Sequence, residues 1–246
     1  GIGARYYDSD VSVWLSVDPM AFKYPDQTPY SYVGNRPINV IDPKGEDEWE
    51  LDKKGNVVNR IENKEYDSFH IVEKNDEGNY KRVASSKEYE YGTVEAQRNP
   101  KDYKDRELTL FEIDGDDKAK EIFEFFSNNY VEENERPVEW THAKIGNNKS
   151  DNNIVGTTHK KDYTSVGTYL RINNYTLREV NHNHPTGNPI PSGSTVDDYG
   201  DIENAKDYKK ANPKIKLNVY TREYDYSPYD VYGTKDKRIL KGEIPK

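Results

Sequence analysis

From residue 107 onward, apolar positions recur at spacings that identify elements. Leu108-Thr-Leu-Phe-Glu-Ile113 is a compact apolar run and predicts a strand. Asp114-Gly115-Asp116 then opens a helix over about 116–129, because Ala119, Ile122, Phe123 and Phe126 repeat at i, i+3, i+4 and i+7. Residues 138–145 predict a second strand, stopped by Gly146 and followed by an Asn-rich polar turn. Tyr169–Ile172 and Tyr175–Val180 read as two further strands. Ser194 is placed at the start of a helix running to about residue 210, with Val196, Tyr199, Ile202 and Ala205 along one side. Residues 216–221 give another strand, and the C-terminus a final hairpin. The order predicts a mixed α/β (α+β) architecture, a single mixed sheet with flanking helices.

Upstream the pattern is shorter and more polar. In residues 46–105 the apolar pieces are brief: Glu48–Leu51, Val57-Val58 and Phe69–Val72. Lys-Lys-Gly and Asn-Asp-Glu-Gly turns separate them, as in hairpins. This stretch reads as a small β-rich connector whose charge runs are solvated faces. Residues 1–45 are punctuated by Pro, Gly, Tyr and Asp, which predicts short strands broken by turns and unable to close a core alone. The expected units are therefore 1–45, 46–105 and 106–246.

Composition narrows the function classes. Only 33% of residues are hydrophobic, but 21 Tyr, 6 Phe and 3 Trp supply enough large side chains for a core, which excludes disorder over most of the length. A net charge of −9 argues against general nucleic-acid binding. No apolar run approaches the roughly 20 residues of a membrane span. The absence of cysteine removes disulfides, Cys-ligated zinc and thiol nucleophiles together. The chain opens at Gly1 and its one methionine is Met20, so it is expected to be the C-terminal piece of a longer polypeptide.

The candidate chemistry lies in residues 182–197: His182-Asn-His184-Pro185, eight residues, then Ser194-Thr-Val-Asp197. On a strand, alternate side chains share a face about 6.6 Å apart, so Val180, His182 and His184 point one way and Glu179 the other. Pro185 ends the strand because it has no amide proton for the ladder. Ser194 suits a helix N-cap, with Asp197 in the same first turn. A helix starting beside the strand end would bring Asp197 to the two imidazoles. His, His and carboxylate are zinc ligands, and the fourth position is left to water.

Two resemblances follow from these residues. Gly3-Ala-Arg-Tyr-Tyr-Asp8 with Asp18-Pro19 and Asp42-Pro-Lys-Gly45 resembles the end of an RHS (YD-repeat) core. That family implies chain cleavage just after the second motif, with Asp18 and Asp42 as the acting pair. Here Met20-Ala21 departs from the usual x-Gly of the first motif. The run His182-x-His184-Pro185-x8-Ser194-x-x-Asp197 resembles the JAMM/JAB metalloprotease motif, and residues 107–246 look like the JAB-like toxins attached to RHS proteins. The family usually has Ser or Thr at the position of Asn183. The resemblance implies a cytidine-deaminase-like fold and hydrolysis of peptide or isopeptide bonds. It implies Zn²⁺ on His182, His184 and Asp197, and an oxyanion steadied by Ser194. It also calls for a water-activating glutamate on an earlier strand. Glu139 suits that role better than Glu133 or Glu135, which sit in a polar turn, or Glu179, which faces away.

The toxin resemblance further implies a protein substrate in a target cell, a cognate immunity protein, an upstream RHS shell, and secretion or delivery. Among the remaining histidines, His142 reads as inter-strand or supporting, His159 as surface and His70 as structural. Two rival readings stay open: an HNH-like metal-dependent nuclease toxin, and an inactive JAMM-like binding module. A nucleobase deaminase of this fold would need a cysteine pair, which the chain lacks.

Overall fold

The computed structural model describes residues 47–62, 65–129, 138–147, 150–193 and 200–243. It also describes the backbone of two short antiparallel strands, β1 (Tyr7–Asp8) and β2 (Val13–Trp14). Asp18, Asp42, Glu133, Glu135, Ser194 and Asp197 lie outside the described residues.

Residues 47–85 form a four-stranded sheet from β3 (Asp47–Leu51), β4 (Val57–Glu62), β5 (Ser68–Lys74) and β6 (Tyr80–Ser85), in the order β4-β3-β5-β6. The inner pair is parallel and the outer pairs are antiparallel. The turn after β3 is set by Asp52, whose Oδ1 accepts the amides of Lys54 and Asn56 at 2.8 and 2.9 Å.

The remaining strands are β7 (Val94–Arg98), β8 (Thr109–Asp114), β9 (Trp140–Ile145), β10 (Asn152–Thr157), β11 (Leu177–Asn183), β12 (Lys216–Thr221), β13 (Asp225–Asp230) and β14 (Gly233–Thr234). They form an eight-stranded sheet in the order β14-β13-β12-β11-β9-β10-β8-β7, parallel only between β11 and β12. The helices are α1 (Asp116–Asn128), α2 (Val166–Ile172), α3 (Asp201–Ala211) and the short α4 (Lys237–Leu240). The molecule is thus a mixed α/β protein with two mixed sheets and few helices.

Each face of the large sheet has its own core. On one face, Phe111, Ile113, Trp140 and Val155 pack with Ile122, Phe123 and Phe126 of α1 and with Trp49, Leu51 and Phe69 of the small sheet. Phe126 stacks on Trp140 with ring centroids 4.1 Å apart and planes 12° apart. On the other face, Leu110, Ala143, Ile154, Val180, Leu217 and Val219 are covered by Val166 and Leu170 of α2 and by Ile202, Ala205 and Tyr208 of α3. The two helices approach closely because residue 167 is glycine: a Cβ there would stand 2.3 Å from the Tyr208 hydroxyl oxygen.

The strands from residue 107 onward form one mixed sheet as expected, and residues 47–85 pair among themselves as a separate small sheet. Several other expectations change. β7, from the stretch read as a polar connector, is the edge strand of the large sheet. Tyr169–Ile172 is helical: Val166, Gly167 and Leu170 bury one face of α2, and this packing overrides the strand preference of Tyr and Ile. The Asn-rich turn is short, because Asn152–Thr157 forms β10, inserted between β8 and β9 and buried over most of its length. The helix expected from Ser194 begins at Asp201, with Gly200 at its N-cap in extended backbone.

Candidate metal centre

The site forms where β11 ends, on the α2/α3 face of the large sheet. β11 pairs with β9 through His182↔Thr141, and directly opposed residues share a face. His182 therefore sits with Thr141 and Val180, while Asn181 faces the α1 side with His142. His184 follows the strand, and its amide still bonds the Tyr220 carbonyl on β12 at 3.0 Å. The two imidazoles turn toward each other, with His182 Nε2 and His184 Nε2 3.1 Å apart.

A carboxylate closes the cluster. Asp201, the first residue of α3, places Oδ1 3.0 Å from His182 Nε2 and Oδ2 3.2 Å from His184 Nε2. One ligand atom from each of the three residues lies within 4.8 Å of the others. Among the described residues it is the one cluster of this kind. His184 Nδ1 meets the Asn188 carbonyl at 2.8 Å. An N–H donated there fixes the tautomer and leaves the Nε2 lone pair facing the cluster. Two nitrogen donors and a carboxylate facing one point, with a ring orienter behind, fit a zinc ion.

Asp201 was not singled out in the sequence. Ser192 holds it there: the Ser192 amide donates to Asp201 Oδ2 at 2.7 Å, and the Asp201 amide donates to Ser192 Oγ at 3.2 Å. The Ile202 amide also bonds the Ser192 carbonyl. Ser192 and Asp201, with eight residues between them in the sequence, therefore meet directly. Gly200 permits the closure, since a Cβ would meet Ser192 Oγ at 2.5 Å and the Gly193 amide at 2.7 Å. The sequence did contain a Ser and an Asp in the motif's order, but eight residues stand between these two. A search for Ser-x-x-Asp passes over them.

Glu139 lies immediately before β9, only 6% exposed. Its amide donates to the Lys160 carbonyl at 2.7 Å, and its carbonyl accepts from Thr157 Oγ1 at 2.7 Å. Burial pushes its carboxyl up to about 8, with the nearby His184 opposing and Asp201 and Asp162 adding. Burial would raise the Asp201 carboxyl as well, but the charges and hydrogen bonds of His182 and His184 hold it well below the usual range. Burial would lower His184, yet the Asp201 hydrogen bond and charge carry it above its ordinary value.

Other sequence candidates fall away from the site. Glu179 faces the α1 side, bonded by Asn181 Nδ2 at 3.1 Å. His142 is fully buried on that same face, its Nε2 3.0 Å from Asn153 Oδ1, and burial pulls it down to about 4. His70 lies in β5 beside Ser68 and Ser85. His159, half-buried, contacts the Lys54 carbonyl at 2.8 Å.

No helix among the described residues is long and apolar enough to cross a membrane. No curated protein and no solved structure matches the chain. One family does: residues 111–206, from within β8 to within α3 and including Glu139, His182, His184 and Asp201, match the family described as JAB-like toxin 1, which supports a JAB-like toxin domain over that stretch.

Proposed function

We propose that residues 106–246 are a zinc-dependent hydrolase toxin cleaving peptide or isopeptide bonds in a target cell. In this reading they form the C-terminal part of an RHS-type protein that delivers them. The observation that carries it is the convergence of His182, His184 and Asp201 beside the buried carboxyl of Glu139. His182, His184 and Asp201 would hold the metal. A bound zinc supplies a water acidified toward neutrality and a Lewis acid for the scissile carbonyl.

The chain's own groups do the rest. Glu139 accepts the proton of the attacking water and passes it to the leaving nitrogen, a role that an apolar setting suits by raising its basicity. Developing charge on the carbonyl oxygen needs a hydroxyl donor. Ser192 Oγ is exposed and already accepts the Asp201 amide, which leaves its proton to donate. Ser194 is the alternative donor for the same task. Asp201 binds at the positive end of α3, where a carboxylate is favoured before any metal arrives.

The immunity protein and the RHS shell belong to the same proposal, carried by the family likeness and the Gly3–Gly45 motifs. The test is expression of the full chain in cells, with and without His182→Ala, followed by zinc analysis and proteomics. Stoichiometric zinc, toxicity abolished by the substitution, and shortened or deconjugated proteins are the expected results. Equal toxicity of both forms would end the hydrolase reading. Magnesium-dependent plasmid nicking would replace it with a nuclease.

A further inference from the structure

β9 and β11 part company at the site. Their ladder runs from Leu177↔Ile145 to His182↔Thr141 and stops there. β11 continues along its other neighbour, with Asn183 opposite Tyr220 on β12. Trp140 continues along β10, opposite Thr157. Between the parted strands the Trp140 amide has no carbonyl of β11 to meet. Its partner is a side chain: Trp140 N–H donates to Asn183 Oδ1 at 2.5 Å. Asn183 is 2% exposed and Trp140 3%, so without this acceptor the amide would be buried and unpaired.

We infer that Asn183 is a positioning residue for Glu139. Its side-chain carbonyl stands in for the missing ladder acceptor where the strands splay, and so fixes the Glu139–Trp140 peptide against the strand that carries both histidines. Three bonds then define this corner: Asn183 Oδ1 to the Trp140 amide, Thr157 Oγ1 to the Glu139 carbonyl, and the Lys160 carbonyl to the Glu139 amide. Only the first connects Glu139's segment to the metal-binding strand itself. Glu139 has the strand parity of Thr141, the partner of His182, and its carboxyl feels the charges of His184 and Asp201. The residue between the two histidines points away from the metal, yet it links the metal-holding segment to the proton-carrying one. The inference rests on the hydrolase reading for the task of Glu139, but not for the bridge.

The full chain with Asn183→Leu, which keeps the branched shape and removes the acceptor, is compared with Asn183→Asp, which keeps an acceptor oxygen at the same reach. In the metal-free protein, amide exchange at Trp140 is expected to accelerate about 100-fold or more in Asn183→Leu, as for an amide that has lost its partner. It should stay near wild type in Asn183→Asp. Both variants should bind one equivalent of Co²⁺. The visible spectrum of Asn183→Leu should shift as that of Glu139→Gln does, while Asn183→Asp keeps the wild-type spectrum. With a substrate in hand, kcat should fall about 10- to 100-fold in Asn183→Leu with KM little changed. Unchanged Trp140 exchange in Asn183→Leu would overturn the bridge. A wild-type cobalt spectrum in that variant would overturn the positioning of Glu139. A wild-type chain that shows no hydrolysis, with the exchange and cobalt results as expected, would count against the hydrolase reading and leave the bridge standing.

Discussion

Ser192 and Asp201, with eight residues between them in the sequence, exchange hydrogen bonds: the amide of each reaches the side-chain oxygen of the other, at 2.7 and 3.2 Å. This reciprocal pair starts α3 and aims its first carboxylate at two histidines. Ser192→Ala removes one arm of the pair and Gly200→Ala forces the closure apart, because the new Cβ would overlap Ser192. Both are expected to weaken zinc binding about 10-fold or more, as for loss of a ligand-orienting contact. Competition with a zinc chelator measures this, and wild-type affinity in both would show that the pair does not position Asp201.

The identity of the third ligand has a direct test. Asp201→Asn should lose stoichiometric zinc, since an amide oxygen is a poorer ligand and its partners would be left with an uncompensated site. Asp197→Asn should keep it. The opposite pattern in metal analysis would return the role to Asp197.

Glu139→Gln should retain zinc and lose activity by about 100- to 10,000-fold, the range expected when a general base is removed. It should also change stability in the chelated protein. The folded Glu139 carboxyl is raised from 4.5 to about 8. The folded state therefore holds a proton that the unfolded chain releases, so stability falls as pH rises from about 4.5 to about 8. Glu139→Gln should flatten that decline. Denaturant midpoints measured across pH 5–9 with chelator present would show parallel curves if Glu139 were solvated instead.

Asp102 gives a dependence of opposite sign. Burial would raise its carboxyl, but bonds from Arg106, Ser165 and the amides of Arg106 and Lys104 bring it down to about 2. Its stabilisation is present above the ordinary carboxylate value of 3.8 and is lost as pH falls from there toward 2. Asp102→Asn should cost about 1–3 kcal/mol at neutral pH, the range for stranding buried partners of a charged group. Chemical denaturation would read it, and a change within about 0.5 kcal/mol would mean that the 102–106 turn carries no such load.

Local pattern carried much of this protein. The spacing of Ala119, Ile122, Phe123 and Phe126 marked α1, and those residues are buried against the sheet. Period-two alternation put His182 with Val180 and turned Glu179 away, because a strand offers its side chains only two directions. What the pattern misread depended on partners distant in sequence. Tyr169–Ile172 has strand-forming residues but folds as α2, because Gly167 and Leu170 find a surface made by Tyr208 and Val180. β10 looked like a polar turn, since the asparagines at its start outweighed Ile154 and Val155 until β8 and β9 enclosed it. The sequence by itself determined that His182 would share the Val180 face of its strand, with a second imidazole two residues on, just past the strand's end. Only the tertiary structure decided which carboxylate meets them. Asp201 arrives through a chain closure at Ser192 and Gly200, and contacts across such a closure leave no period along the chain.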